Sequence, residues 1–272
     1  MNRSQVVETK GISLNTSGSV EWQGCSMAQD GLYEAIFRRK SVRKCAPGKL
    51  DPAMMEKVVS QMANLKPLFP EIKVEMKIMT NPEIKGMFKV DAPHFLAFFS
   101  EVKEGSPANA GFKMQQMDLF LSTNGVGSCW QGGPKPIKES MGASELEYVT
   151  LLAFGPPVED IHRKSVAEFK REPLAKVSDV KGYDDLLEPA RLAPSGTNNQ
   201  PWFFTGGNGA IHVSYARSMI VDRMNQISCG IALCHMWLAA MHSGKTVELR
   251  NDRSGDANPP KKYSYVASMI IS

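Results

Sequence analysis

Five basic residues within seven, Arg38, Arg39, Lys40, Arg43 and Lys44, surround Ser41 in the stretch "FRRKSVRK". Guanidinium groups hold phosphate through paired, charge-assisted hydrogen bonds, so this turn suits a phosphate monoester. The competing reading is a solvated basic helix end, which the helix dipole favours. A second stretch, "CWQGGPKP", sets Gly132 and Gly133 behind an aromatic and an amide, Gln131. Two glycines admit a flat ligand to backbone N–H donors, or simply make a turn out of a helix. The third stretch, "RLAPSGTNNQPWFF" (191–204), is the most specific. Its residues Pro194 to Pro201 make a poor helix or strand but offer small side chains, backbone donors and amides along a fixed path. Asn198 and Gln200 are placed to read ring heteroatoms, and Ser195 and the Gly196 backbone to donate hydrogen bonds. A buried planar ligand with polar edges would use all of these.

Other chemistry finds less support. "AAMHSGKT" (239–246) ends like a phosphate-binding loop, but it leads from a helix into a strand, the reverse of what that loop needs, and reads as a helix C-cap. Cys229, Cys234, His235 and His242 match no zinc spacing and, on an apolar helix, read as core residues or a hydrogen-bonded histidine. Asp184 and Asp185 read as a helix N-terminus. Neither a Gly-x-Ser-x-Gly elbow nor a His-Glu-x-x-His pair occurs, and no catalytic side chain or metal ligand is assigned.

The elements that position these stretches recur. A helix "GLYEAIFRRKSV" precedes one that starts at Asp51-Pro52, an N-cap followed by proline. Strands "KVEMKIM" and "HFLAFFS", a helix "GFKMQQMDLFLSTNGVG" stopped by Asn124-Gly125, and a strand "YVTLLAFG" follow. A charged connector over 156–179 divides the chain nearly in half. Beyond it come a helix "GYDDLLEPARLAPSG", strands "WFFTGG" and "AIHVSYA", a helix "CGIALCHMWLAAMHSG", and strands "TVELRN" and "YSYVASMII". The order reads as two faint copies of one α+β plan.

Composition bounds the partners. The 272 residues carry a net charge of +4, enough to attract anionic cofactors or substrates and too little for nucleic acid. Five cysteines without disulfide-rich spacing fit a reducing, cytoplasmic setting. No apolar window approaches the roughly 20 residues needed to span a bilayer, and the N-terminus lacks the apolar core of a signal peptide. The Asn15 sequon reads as chance, and residues 1–26 as a poorly ordered extension before a domain start at Met27.

Three motifs, Arg39-Lys40-Ser41-Val42-Arg43, "NGVGSCWQGG" and "ARLAPSGTNNQPW", resemble those of the FMN-dependent nitroreductases, with similarity over roughly residues 30–270. Members are homodimers in which each FMN site draws on both subunits. One subunit supplies the Arg-x-Ser-x-Arg turn, the Gly-Gly loop and a late basic residue. Its partner supplies the Pro-Ser-x-x-Asn-x-Gln-Pro segment. Here the first half has the turn and the Gly-Gly loop, and the second half has the clamp. The chain therefore looks like a tandem TM nitroreductase: two degenerate copies fused as a pseudo-dimer, one flavin site kept and one lost. That implies an extension over 1–30, a first half over 31–162 and a second over 163–272, acting as a monomer.

The resemblance further implies that Arg39, Ser41 and Arg43 grip the phosphate, with Arg163 or Lys164 as the late basic partner. Gln131, Gly132 and Gly133 would lie near N5 and the pyrimidine edge, and Pro194, Ser195, Gly196 and Asn198 would line the flavin from the other half. The implied activity passes hydride from NAD(P)H through FMN to a small organic acceptor such as a nitroaromatic or quinone. The alternatives are a non-catalytic flavin binder and a pseudoenzyme.

Overall fold

The computed structural model describes residues 6–7, 20–22, 27–142, 145–252 and 259–272, with side chains from Asp30 onward. The expected loose extension, with Asn15 and Cys25, lies outside the described residues apart from two short strands, β1 (Val6–Val7) and β2 (Val20–Trp22).

The first half opens with α1 (Met27–Ile36) and α2 (Pro52–Asn64). Asp51 caps α2 by accepting a 2.9 Å bond from the Met54 amide, as the Asp-Pro start implies. Then come β3 (Val74–Thr80), β4 (Ile84–Lys85), β5 (His94–Ser100) and α3 (Ser106–Thr123). They are followed by β6 (Gly127–Gln131), β7 (Lys135–Pro136), α4 (Lys138–Met141) and β8 (Glu147–Gly155). The second half runs α5 (Leu174–Val177), α6 (Asp184–Arg191), β9 (Trp202–Gly207) and β10 (Ala210–Ala216). It ends with α7 (Asp222–His242), β11 (Val247–Arg250) and β12 (Tyr263–Ile271).

Two antiparallel sheets result, ordered β1-β3-β5-β8-β6 and β2-β11-β12-β10-β9, with β4 and β7 paired separately. Leaving aside the N-terminal edge strands, both sheets share one plan: a pair of successive strands, then the last strand of the half, then the strand that follows the long helix. β5 is buried along its whole length, which is why "HFLAFFS" reads as a continuous apolar run and not an alternation. Each sheet also carries one bulge. Phe98 faces Thr150 and Phe99 faces Tyr148, which leaves Val149 unpaired. Val213 faces Ala267 and Ser214 faces Tyr265, which leaves Val266 unpaired. Both bulges fall on a Tyr-Val pair.

Helices α3 and α7 pack together between the sheets and are buried almost all round, so neither sequence is amphipathic. A β-carbon added to Gly111 would lie 2.0 Å from the Ile227 carbonyl oxygen, and one on Gly230 would lie 1.9 Å from that of Ala108. The contact is reciprocal: Ala108 and Gly111 of α3 face Gly230 and Ile227 of α7. These close approaches explain one misreading of the sequence. The motif-based starts at Gly111 and Cys229 fall inside the helices, which begin at Ser106 and Asp222. The glycines are there for packing, not to begin or end a helix. α7 does end as expected, with Gly244 at φ +70° and the Lys245 amide bonding back to the Ala240 carbonyl. Among the described residues no helix is long and apolar enough to cross a membrane.

Candidate functional site

After α1 the chain runs extended. The Lys40 amide donates to the Ile161 carbonyl and the Val42 amide to the Ser128 carbonyl, so side chains alternate. Val42 is buried against Gly127, while Arg39, Ser41 and Arg43 share the opposite face. Ser41 and Arg43 open onto a cavity of about 540 Å3. Its other walls are Cys129 to Gly133 at the end of β6, Val149 and Thr150 at the β8 bulge, Pro194 to Thr197 after α6, and the first turns of α7, including Met224 and Ile227. Of the expected residues, Ser41, Arg43, Gln131, Gly132, Gly133, Pro194, Ser195 and Gly196 are brought together here. A β-carbon on Gly196 would lie 2.1 Å from the Met224 sulfur, so the Met224 side chain packs directly on this glycine.

Five expected residues lie off the cavity wall. Arg39 is 1% exposed, its Nε is 3.0 Å from Asp118, and its guanidinium donates to Ser41 Oγ at 3.3 Å. A cation of this length withdrawn from water needs an anion, and α3 supplies one, so Arg39 braces Ser41 from behind. Arg163 donates to the Arg39 carbonyl and lays its guanidinium 4.0 Å from the centre of the Phe169 ring. Lys164 is exposed, with its amide bonded to Glu168. Asn198 is exposed and turned to the connector, donating to the Lys170 carbonyl and accepting from Arg171. Gln200 likewise accepts from the Glu172 amide at 2.7 Å. The two amides expected to read ring heteroatoms instead hold the loop to residues 170–172. That support is needed, because Thr197, Asn198 and Gln200 all have φ near +50 to +60°, a region costly for residues other than glycine.

Three supporting residues escaped the sequence reading. Arg171 donates from Nε to the Ala193 carbonyl at 3.0 Å and from a terminal nitrogen to that of Leu192 at 3.2 Å, gripping the root of the 194–200 loop. Its guanidinium shares the Phe169 ring with Arg163. Burial first, then the charges of Arg163, Arg39 and Arg191, lower its pKa to about 10. Burial and Arg39 lower that of Arg163 too. Asp118 accepts from Ser128 Oγ and from Gln115 Nε2. Gln115 in turn accepts from Trp130 Nε1 at 3.2 Å and reaches His235 Nε2 at 3.0 Å. The other His235 nitrogen faces the Pro189 carbonyl at 2.9 Å, and burial lowers its pKa to about 3, so the ring is neutral and donates from Nδ1. The one available signal was polar residues inside a helix buried on every side; Arg171 gave none.

Three guanidinium groups thus cluster behind Ser41 and the loop with one buried carboxylate, Asp118, among them. A cavity with glycine walls and an excess of half-buried positive charge at one end fits an anionic, flat ligand.

By sequence the chain belongs to the family whose model is described as "Putative TM nitroreductase", which matches residues 31–240. Its fold is shared by a crystal structure described as a "putative nitroreductase" from Thermotoga maritima msb8, with TM-score 0.58 and 20% identity over 88% of this chain and 93% of that one. A nitroreductase family protein from Clostridium difficile 630 matches at TM-score 0.45 and 16% identity, over 56% of this chain and 96% of that one. A structure described as a "putative nitroreductase in complex with FMN" from Desulfovibrio desulfuricans matches at TM-score 0.38 and 15% identity, over 52% of this chain and 96% of that one. No curated protein matches by sequence.

Proposed function

We propose that the chain is an FMN-dependent oxidoreductase that uses NAD(P)H to reduce a small organic acceptor. The observation that carries this reading is the convergence of Ser41 and Arg43, Gly132 and Gly133, and Pro194 to Gly196 on one cavity beside the buried Arg39 and the half-buried Arg163 and Arg171. About 540 Å3 lies within the usual range of small-ligand sites, roughly 300–1,000 Å3. The residues present fit FMN. Ser41 and Arg43 would hold its phosphate, with Arg39, Arg163 and Arg171 adding positive potential from behind. Gly132 and Gly133, both exposed, offer backbone beside the ring system, and Pro194 to Gly196 close the opposite wall. When bound, FMN supplies the two-electron chemistry. The chain's own task is to orient it, to keep one face open to donor and acceptor, and to stabilise negative charge with backbone donors and cations.

On the same reading the two sheets with one plan, and the reciprocal α3–α7 contact, are the halves and interface of a fused pseudo-dimer, divided near residue 162. Reconstitution with FMN, desalting and counting flavin per chain tests the site, and NADH or NADPH added without air tests turnover. One flavin per chain, bleached within seconds to minutes, is expected. Bound flavin that stays yellow leaves a binding protein, and no bound flavin overturns the reading.

A further inference from the structure

Bare apolar side chains are unevenly placed on this protein. Of the seven large ones among the described residues, four, Met87, Phe88, Met219 and Ile220, sit in two short turns, and Phe88 and Ile220 are each 93% exposed. Both turns meet the rim of the candidate flavin cavity. Ile220 lines it directly. The Met87 carbonyl oxygen would lie 3.3 Å from a β-carbon on Gly133, another wall residue. The rim between the turns is bonded: Arg223 donates to the Tyr148 carbonyl, and the Tyr148 hydroxyl donates to the Pro134 carbonyl at 2.9 Å. Each turn is also fixed from within. Lys89 donates to the Asn81 and Ile84 carbonyls at 3.2 and 3.0 Å. Ser218 Oγ accepts from the Ile220 and Val221 amides at 3.3 and 3.1 Å, and Asp222 accepts from the Ser218 amide at 3.2 Å.

Three features of these turns cost the isolated protein free energy. Their apolar tips stand in water. Phe88 has φ +59°, a left-handed backbone that a bulky residue adopts at a cost. The β4–β7 pairing sets Lys85 directly opposite Lys135, both exposed, and like charges so placed repel. Neither lysine, nor the exposed Arg217 beside the second turn, has an ion-pair partner among the described residues. The carboxylates nearest in sequence, Glu83, Asp91 and Asp222, are bonded to Thr80, Asn81 and Tyr215 instead. An anionic bilayer offsets all three costs: apolar tips enter the acyl boundary while the cations stay among lipid phosphates. A protein partner needs a broad matched face, which two short turns do not supply. We propose that the two turns are a docking surface for an anionic lipid bilayer, which the mouth of the cavity then faces.

The test is flotation of the FMN-saturated protein with phosphatidylcholine vesicles containing about 30% phosphatidylglycerol. It is run beside Phe88→Ser with Met219→Ser, and Lys85→Gln with Lys135→Gln, four residues that do not line the cavity. The parent protein is expected in the lipid fraction, with partitioning about tenfold weaker in each paired variant and flavin content unchanged. Protein is counted separately from flavin, so the result stands apart from the flavin reading. A parent protein that stays out of the lipid fraction overturns the proposal. So does partitioning indifferent to the serine exchanges, or equal binding to pure phosphatidylcholine. Self-association of the parent in size-exclusion chromatography, lost on Phe88→Ser, also overturns it and assigns the turns to a second copy of the chain.

Discussion

Arg39 and Arg43 sit four residues apart on one extended face and do different work. Arg43 opens onto the cavity, so Arg43→Ala should weaken FMN binding by about 1.5–3 kcal/mol, the range for a hydrogen bond to a charged group, and leave the melting temperature nearly unchanged. Arg39→Ala strands Asp118 without its cation inside the protein, and should cost about 3–5 kcal/mol of stability in denaturant titrations. Equal effects of the two on flavin and on stability would refute this division. The sequence offered both as one motif, because spacing shows which residues share a face but not which of them a neighbouring helix will claim. His235 makes a separate prediction. Its folded pKa, about 3, lies below the unfolded value of 6.5, so above pH 6.5 it has no effect. As pH falls below 6.5 only the unfolded chain takes up the proton, and stability drops by about 1.4 kcal/mol per pH unit. His94 and His162 are lowered by burial as well and act in the same direction. Denaturant titrations at pH 7 and pH 5 should therefore show a loss of about 2 kcal/mol from His235, and His235→Gln should remove that part of the slope.

Among elements, the α3–α7 crossing decides whether the cavity exists. Gly111→Ala would place a methyl group 2.0 Å from a backbone oxygen, which no rotamer change relieves. The helices must separate, at a cost of about 2–3 kcal/mol. Met224 and Ile227 move with α7, so flavin affinity should fall as well, although Gly111 is no wall of the cavity. A denaturation midpoint and flavin affinity unchanged in this variant would show that the crossing is not tight. Most elements were legible in the sequence for clear reasons: Asp51-Pro52 caps, "HFLAFFS" is apolar throughout, and Gly244 stops α7. What escaped was tertiary. The two long helices were read as starting at Gly111 and Cys229, whereas Gly111 and Gly230 lie inside them and serve contact between helices. Asn198 and Gln200 signalled a ligand where they hold a loop in left-handed backbone conformations. In both cases the residue type was informative, and its partner lay far away in the sequence.

For the whole molecule, residues of the three motifs make up most of the wall of the first cavity, so that much of it was legible in the sequence. A second cavity of about 730 Å3, lined in part by Phe69, Lys103 and Glu104, was invisible, since "SQMANLKPLFP" and "EVKEGSPANA" carry no motif. The first cavity also has a consequence for measurement. Its walls, from Ser41 to Ile231, lie on one covalent chain. A pocket assembled from two separate subunits comes apart at high dilution, and its apparent affinity then depends on how much protein is in the tube. Here the tether holds the two sides at a fixed effective concentration. Flavin dissociation constants measured at nanomolar and at micromolar protein should therefore coincide, and the holoprotein should keep its colour at single-molecule dilution for as long as the flavin itself stays bound.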